Sequence, residues 1–343
     1  MACLYNHRMD GTGNDASAIP GGTDPSRVVV TGAGGFIGTH LVRALLDAGY
    51  RVRAVTRGTG VMRASALAEI LPHPGTAPDA DWRSLLTGAG AVVHLAGMAH
   101  LPLSTRETRR RLRRINVEST RRLAEAAAEA GVATFVFMSS IKAVSDHSED
   151  GPLTETDLPR PEDCYGAAKL AAERRLQRLG RDKPGMRVLI LRPPLVYGPG
   201  AGANFAAFAR LVGRGLPLPL AGVRNRRSLI YVGNLVDAVM QCLQRADVPS
   251  GIFHLSDGKE VSTPGLARAI AAAQDRPARL FDLPVSWLTF AAGAAGKQAE
   301  ISRLTGSLAV SNRRFCRTFD WNPPFTLEQG LRATLHNAHR EST

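Results

Sequence analysis

Short apolar runs alternate with longer amphipathic stretches over the first half of the chain. The apolar runs have the length of buried strands, and the amphipathic stretches repeat their apolar positions at helical spacing. The pattern predicts strands at 27–31, 51–56, 91–95, 134–138 and 187–191, and helices at 36–48, 82–87, 105–130 and 163–179. Strands that alternate with helices form parallel sheets covered on both faces, so we expect a doubly wound α/β sheet.

A glycine-rich turn joins the first predicted strand to the first predicted helix. Residues 31–38 have the sequence TGAGGFIG. Gly32 permits a tight turn, Gly35 allows the backbone to approach a pyrophosphate, and Gly38 lets the helix pack closely on the strand. The free N–H groups at the helix N-terminus suit an anion. The turn therefore predicts a dinucleotide-binding site.

A second group of polar residues lies far from the turn in sequence. Ser139 and Ser140 follow the fourth predicted strand, and Ser140 is the candidate functional serine. Tyr165 and Lys169 are four residues apart in a predicted helix, so they share one helix face. Tyr165 would exchange a proton with a sugar or alcohol oxygen, and Ser140 would hydrogen-bond that oxygen. Lys169 would hold the cofactor ribose and favour the phenolate form of Tyr165. Ser140, Tyr165 and Lys169 are thus the predicted catalytic residues.

These motifs resemble the extended short-chain dehydrogenase/reductase family of nucleotide-sugar epimerases, dehydratases and ketoreductases. The resemblance covers about residues 27–335. Its further matching segments are 92–97, 115–120, 191–200 and 227–232. Segments 139–142, 217–220 and 226–229 are similar to bacterial polysaccharide enzymes, namely UDP-N-acetylhexosamine 4-epimerases and 4-ketoreductases. The family implies a Rossmann-type doubly wound parallel sheet, a smaller C-terminal substrate-binding lobe and a homodimer formed through the two long helices.

The chain of 343 residues divides into three predicted parts. Residues 1–26 are rich in Gly, Asp, Asn and Ser and are expected to form a disordered N-terminal tail. Residues 27–192 would form the NAD(P)-binding Rossmann domain that carries the catalytic residues. Residues 193–343 would form the mixed substrate-binding lobe, from which one strand and one helix return to the Rossmann domain.

Cofactor preference depends on the end of the second predicted strand. NAD-selective folds place an acidic residue there, whereas this chain has Arg57, which Arg53 would assist in pairing with a 2′-phosphate. NADP is therefore favoured, with NAD as the alternative. Asp79 and Asp81 are both candidates for contact with the adenine. The resemblance implies cofactor contacts at Gly32, Gly35, Phe36, Ile37, Gly38, Arg57, Leu95, Ala96, Tyr165, Lys169 and Pro193.

The substrate implied by the resemblance is a UDP-sugar. Asn204, at the start of a predicted helix, matches the position that contacts the diphosphate, and Arg227 would clamp the phosphates with bidentate geometry. Ser140 would contact the reacting sugar oxygen. Asn116 has two interpretations, as the anchor of a water relay or as a hydrogen-bonding residue of a buried helix. His94, at a strand end, is expected to be structural rather than a catalytic base.

Two reactions use these residues. A 4-ketoreductase would consume exchangeable NADPH, and a 4-epimerase would hold NAD tightly; the absence of an acid near Arg57 slightly favours reduction. A dehydratase is disfavoured because Ile141 and Lys142 occupy the place of the acidic pair that usually follows the catalytic serine in such enzymes. A non-catalytic NADP-binding sensor or scaffold is a different class, and the intact serine, tyrosine and lysine argue against it.

Composition narrows the possible partners. The net charge of +13 and the arginines of 106–114 suggest nucleic acid, but no nucleic-acid-binding motif accompanies them, so no such partner is expected. Attraction to nucleotide sugars or to an anionic membrane surface stays open.

Cys3, Cys164, Cys242 and Cys316 lack metal-ligand spacing and a disulfide framework, which predicts no metal and a cytoplasmic location. Residues 288–296 are too few to cross a membrane, so no integral membrane segment is expected and a packed helix is predicted there.

Overall fold

Seven parallel strands form the central sheet of the computed structural model, which describes residues 23–57, 68–75, 80–99, 105–294, 296 and 298–340. The spatial order of the strands is β3-β2-β1-β4-β5-β6-β9. Two short strands, β7 and β8, pair separately. The bounds are β1 (Asp24–Thr31), β2 (Arg51–Thr56), β3 (Ala68–Pro72), β4 (Ala89–His94), β5 (Thr134–Met138), β6 (Arg187–Arg192), β7 (Leu195–Tyr197), β8 (Leu229–Tyr231) and β9 (Gly251–His254).

Helices follow most of the strands and cover both faces of the sheet. A π-helical segment, Arg113–Glu118, and a single 3-10 turn, Ile141–Ala143, interrupt the α-helical pattern. The α-helices are α1 (Phe36–Asp47), α2 (Arg83–Leu86), α3 (Arg106–Leu112), α4 (Ser119–Glu129), α5 (Cys164–Asp182), α6 (Ala203–Gly213), α7 (Val232–Gln244), α8 (Thr263–Ala272), α9 (Val285–Ala294), α10 (Gln298–Thr305), α11 (Arg313–Phe319) and α12 (Leu327–Arg340).

The core is divided by the sheet because successive strand residues point to opposite faces. On β1, Val28 and Val30 pack with α1 and α7 on one face, whereas Val29 packs with α4 and α5 on the other. All three valines are fully buried. The sheet thereby fixes the positions of the loops at its two edges, and the Rossmann-type doubly wound arrangement expected from the sequence is confirmed.

The second half of the chain contributes both to the sheet and to a separate lobe. β9 pairs with β6 in parallel, and α7 packs against α1, so these two elements join the Rossmann sheet. The lobe has its own apolar core, which includes Phe205, Leu266 and Leu331. Residues of α6 and α10 both pack in this core.

Apart from shifts of one to three residues at other ends, three features differ from the sequence-based prediction. β1 begins at Asp24, three residues inside the predicted tail. The edge strand β3 was not predicted; it ends at Pro72, which an edge strand tolerates because a proline lacks only one donor there. The helix predicted over 105–130 is α3, the π-helical segment and α4 in succession, since the backbone widens around Asn116.

The C-terminal lobe contains the helix predicted around 288–296. It is observed as α9, which buries Leu288 but leaves Trp287 and Phe290 exposed, so the prediction of a packed helix is only half correct. Among the described residues, no helix combines the length and the apolar character needed to cross a bilayer.

Candidate active site

The carboxyl ends of β1, β4 and β5 meet at one edge of the sheet. Thr31, His94 and Phe137 are register partners across these three strands. The glycine-rich turn follows β1, and Ser139 and Ser140 follow β5. Ligands of doubly wound sheets bind at this edge. The two motifs that are far apart in sequence therefore lie on the same side of the fold.

The glycine-rich turn has the shape that a pyrophosphate requires. Gly32 has a φ of +72°, and a Cβ at this position would lie 2.8 Å from the main-chain nitrogen of Ala96. A Cβ on Gly38 would lie 2.2 Å from the carbonyl oxygen of Gly32. No side chain in the described part of the chain caps α1, whose N-cap is Gly35, so no cap there covers the first-turn N–H groups that include Phe36 and Ile37. The residues present fit a dinucleotide.

The end of β4 lies beside this turn. The N–H of Leu95 donates to the carbonyl of Thr31 at 3.1 Å, and the N–H of Ala96 donates to the Thr31 hydroxyl at 3.4 Å. Pro193, at the end of β6, accepts a hydrogen bond of 3.0 Å from the N–H of Ile141. The predicted cofactor residues after β1, β4 and β6 are thus tied to the same sheet edge.

Arg57 and Arg53 have different surroundings at the second strand. Arg57 is exposed just after β2. The guanidinium of Arg53 instead donates to Glu69 at 2.9 Å and to the carbonyl of Thr87 at 2.7 Å, before the start of β4. The prediction that Arg53 assists with a 2′-phosphate is therefore wrong. Its side chain points toward the amino end of β4, away from the carboxyl strand ends where a cofactor would bind.

The structure provides no support for an adenine contact at either Asp79 or Asp81. Asp79 lies outside the described residues. Asp81 accepts a hydrogen bond of 2.9 Å from the N–H of Arg83 at the start of α2, which gives it a local structural contact.

Ser140, Tyr165 and Lys169 come together between β5 and α5. Ser140 lies close enough to Tyr165 for its hydroxyl to lower the pKa of the phenol. The Lys169 ammonium lies 6.0 Å from the centroid of the Tyr165 ring and 4.6 Å from that of Phe137. It donates a hydrogen bond of 2.8 Å to the carbonyl of Met138. A hydroxyl, a phenol and an ammonium therefore converge where a reacting oxygen could bind.

Burial dominates the electrostatics of this trio. It raises the pKa of Tyr165 to about 12, although the nearby Ser140 hydroxyl acts in the opposite direction. Burial lowers the pKa of Lys169 to about 8, and the nearby Glu173 carboxylate partly offsets it. The sequence predicts that Lys169 lowers the pKa of Tyr165, but burial has the larger effect and raises it. A phenolate at neutral pH requires a further positive charge beside the ring.

The start of α5 is fixed to the turn that carries Ser140. Asp163 caps α5 by accepting a hydrogen bond of 2.7 Å from the N–H of Gly166. The Lys142 ammonium lies 2.5 Å from Asp163 and 2.6 Å from Asp146. A Cβ on Gly166 would lie 2.2 Å from the carbonyl oxygen of Lys142, so only glycine allows this approach. Lys142 is a structural cation here, and this position provides no acidic pair for a dehydration.

A buried ion pair behind the trio was not anticipated from the sequence. Glu173 binds Arg192 through two hydrogen bonds, of 2.9 and 2.6 Å, and both residues are almost completely buried. Ser139 donates a short hydrogen bond to Glu173. Glu173 follows Lys169 by one helical turn, so an acid on the apolar face of α5 was the available signal. The ion pair fixes α5 to β6 and to the end of β5.

His94 and Asn116 both have structural contacts. The two ring nitrogens of His94 share hydrogen bonds with the hydroxyls of Thr31 and Thr120, at 2.6 and 2.9 Å, and burial lowers its pKa to about 3. The structural interpretation of His94 is confirmed. The Asn116 amide accepts from the N–H of Met98 at 2.8 Å and donates to its carbonyl at 2.9 Å. Asn116 therefore holds the loop after β4, a contact that neither interpretation included.

Two of the predicted substrate residues, Asn204 and Arg227, lie in the C-terminal lobe. Asn204 is the second residue of α6, whose N-cap is Gly202. The guanidinium of Arg227 donates to the carbonyls of Arg303 and Gly306, at 2.6 and 2.9 Å, at the end of α10. These carbonyls orient Arg227, and its role as a phosphate clamp stays a prediction.

Comparison with known proteins places these features in context. Residues 28–255 match the model of the NAD dependent epimerase/dehydratase family. The chain is 36% identical over 314 residues to a UDP-glucose 4-epimerase of Vibrio cholerae, which covers 90% of this chain and 94% of that protein.

Solved structures extend the likeness to the fold. MoeE5 in complex with UDP-glucuronic acid and NAD is 29% identical, with a TM-score of 0.72 over 92% of this chain and 99% of that one. RMD from Pseudomonas aeruginosa complexed with NADPH is 25% identical, with a TM-score of 0.68 over 92% of this chain and 99% of that one. Proteins of this fold thus bind either nicotinamide cofactor.

Proposed function

The chain belongs to the NAD-dependent epimerase/dehydratase family, and on that premise we propose that it is a 4-epimerase of a UDP-hexose, of the UDP-N-acetylhexosamine type. The observation that carries this proposal is the convergence of Ser140, Tyr165 and Lys169 at the sheet edge that also holds the glycine-rich turn. A nicotinamide cofactor, when bound, would take a hydride from C4 of the sugar and return it to the opposite face.

The protein's own groups would manage the proton and the orientation. Tyr165 would remove the proton of the C4 hydroxyl as the carbon is oxidised to the ketone, and it would return that proton when the ketone is reduced. Ser140 would hydrogen-bond the same oxygen in both steps. Lys169, anchored on the carbonyl of Met138, would keep its positive charge beside the Tyr165 ring. The reaction is redox-neutral, since one hydride and one proton leave and return.

A second candidate is a 4-ketoreductase, and Arg57 is the observation that favours it. An exposed arginine after β2 suits the 2′-phosphate of NADP, and a reductase exchanges its cofactor in each turnover. The sequence alone slightly favoured this reaction. The 36% identity to a UDP-glucose 4-epimerase along 90% of the chain favours the epimerase over the ketoreductase.

Product analysis distinguishes the two reactions. The purified protein should be incubated with UDP-glucose, UDP-galactose, the two UDP-N-acetylhexosamines and a UDP-4-keto-6-deoxy sugar, with and without NADPH. Interconversion of the gluco and galacto forms without net NADPH consumption would establish the epimerase. One NADPH consumed per keto sugar would establish the reductase. A retained cofactor without turnover of any of these sugars would contradict both reactions.

The role of Tyr165 can be tested in the same assay. Tyr165→Phe removes the proton carrier but keeps the ring against Lys169, so we expect kcat to fall by about 10²- to 10⁴-fold while the Kd for the cofactor changes little. Unchanged turnover would contradict the mechanism.

The cofactor preference depends on Arg57 in this scheme. Arg57→Asp should weaken NADP binding by roughly tenfold or more, the value of a charge-assisted hydrogen bond, and leave NAD binding unimpaired. Equal effects on the two cofactors would show that Arg57 does not contact the 2′-phosphate.

A further inference from the structure

Helix α9 of the C-terminal lobe carries two large aromatic residues on the protein surface. Trp287 is 67% exposed and Phe290 is 81% exposed. They are three residues apart, so they lie on the same helix face. The sequence of α9, VSWLTFAAGA, contains no charged residue, and Leu288 is its buried contact with the lobe core. A solvated helix normally presents polar side chains on this face.

Further large apolar residues of the lobe are exposed in the segments that precede α9 in the chain. Phe281 is 45% exposed, and its N–H and carbonyl pair with Leu218 and Ala221. Leu211 and Leu216, which precede that pairing, are also exposed. We call this group the α9 surface: Leu211, Leu216, Phe281, Trp287 and Phe290.

A groove deepens the α9 surface where α9 meets α10. Its volume is about 720 Å³. The described residues that line it are uncharged, and none of the catalytic trio is among them. The lining residues are Ser286, Thr289, Phe290, Gly293, Ala294 and Gln298.

Arginines lie in the same two stretches of chain as Leu211, Leu216 and Phe281. Four exposed arginines lie in the stretches 210–221 and 276–281, which contain no acidic residue, although Asp275 and Asp282 flank the second. The two stretches run side by side, because Leu218 and Arg279 pair through their main chains and Arg276 donates to the carbonyl of Gly213 at 3.0 Å. We call these residues the arginine group: Arg210, Arg214, Arg276 and Arg279.

From this combination we propose that the α9 surface docks the protein on an anionic lipid bilayer. Aromatic side chains beside arginines are suited to the boundary between headgroups and acyl chains. Anionic headgroups would neutralise the arginine group, and the net charge of +13 would draw the whole protein toward such a surface. α9 has ten residues, about 15 Å of helix, so it would lie in the interface rather than cross the bilayer.

Charge favours a bilayer over a second copy of the chain as the occupant. A two-fold dimer buries the same surface of both copies, so it would bring one arginine group toward the other. None of these four arginines forms an ion pair with a carboxylate within the described part of the chain, so the repulsion would be uncompensated. An acidic bilayer removes that repulsion.

The protein contains its own probe for this interaction. Of its three tryptophans, Trp82 and Trp321 are 3% and 4% exposed, and only Trp287 faces solvent. The full chain should be mixed with vesicles of phosphatidylglycerol and phosphatidylcholine or of phosphatidylcholine alone. We expect a blue shift of tryptophan emission and co-sedimentation with the anionic vesicles, both weakened by salt.

Variants separate the apolar and charged contributions. Trp287→Ser with Phe290→Ser should lower the partition coefficient by roughly tenfold or more, and Leu158→Ser, which removes an exposed leucine elsewhere, should not change it. Arg214→Gln with Arg279→Gln should lower it by at least about fivefold, whereas Arg313→Gln with Arg317→Gln, on α11, should have a smaller effect.

Two results would overturn the proposal. One is the absence of both the blue shift and co-sedimentation with anionic vesicles at low salt. The other is a concentration-dependent dimer that the change at Trp287 and Phe290 converts to a monomer, since the α9 surface would then contact a second copy. Neither measurement requires substrate, so their outcome is independent of the proposed sugar chemistry.

Discussion

The ammonium of Lys169 donates a hydrogen bond of 2.8 Å to the carbonyl of Met138, the last residue of β5. This bond joins α5 to the end of β5, which precedes Ser140. Because Tyr165 lies one helical turn before Lys169, the same bond sets the position of the phenol relative to Ser140. A single lysine thus combines a structural contact with a charge beside the reacting group.

Replacement of Lys169 should change the pH dependence of stability. Its pKa of about 8 lies below the ordinary value of 10.5, so between these values the unfolded chain holds the proton more tightly. The free energy of unfolding of the wild type should therefore rise with pH in this window relative to that of Lys169→Met, which has no such proton. Urea unfolding at several pH values from 7 to 11 measures the difference. If the difference in free energy of unfolding does not vary with pH, folding does not lower the pKa of Lys169.

The two serines after β5 should have separable roles. The Ser140 hydroxyl lies near the Tyr165 phenol, whereas Ser139 donates to Glu173. We expect Ser140→Ala to lower kcat by about 10²-fold or more with little loss of stability. Ser139→Ala should instead lower the free energy of unfolding by about 1–3 kcal/mol, because a buried carboxylate loses a donor. Kinetics and urea unfolding of both variants provide the test, and an exchange of these effects would move the functional serine to 139.

Gly38 should be essential for the glycine-rich turn. A Cβ there would lie 2.2 Å from the carbonyl oxygen of Gly32, so Gly38→Ala must push α1 away from β1. Cofactor affinity should fall by at least about tenfold, and stability by about 1–3 kcal/mol, the usual cost of overpacking. Gly185→Ala is the matched control, since a Cβ there meets nothing within 4 Å. Titration with NAD and NADP measures the affinity, and equal results for the two variants would contradict the role of the turn.

The buried pair of Glu173 and Arg192 should show strong coupling. Glu173→Gln or Arg192→Met alone leaves an unpaired charge in the core, which costs about 3–5 kcal/mol. The double variant should lose less than the sum of the two, because it buries no lone charge. Urea unfolding of the four proteins gives the interaction energy. Additive losses would show that the two charges do not stabilise one another.

His94 should make the fold sensitive to acid. Its pKa of about 3 lies below the ordinary 6.5, so the unfolded chain takes up this proton first as the pH falls. The free energy of unfolding should drop below pH 6.5, with a slope of at most about 1.4 kcal/mol per pH unit from this group. His94→Gln should show a shallower slope than the wild type in urea unfolding between pH 7.5 and 4.5. Identical slopes would contradict a neutral buried histidine.

Local patterns in the sequence determined five of the seven strands of the sheet, the glycine-rich turn and the residues of the trio. Strand and helix periodicity depends on neighbours along the chain, and the spacing of Tyr165 and Lys169 fixes a shared helix face without further information. The edge strand β3 and the π-helical segment were not predicted from the sequence, because only their packing against the rest of the fold distinguishes them from a loop and a regular helix.

Only the tertiary structure decided which polar residues face one another. Glu173 and Arg192 are 19 residues apart, and Arg53 pairs with Glu69 and Thr87 rather than turning toward a cofactor. The dominance of burial over the Lys169 charge in setting the Tyr165 pKa is likewise a property of the folded protein. Desolvation and ion pairing depend on distances through space, which the order of residues along the chain does not specify.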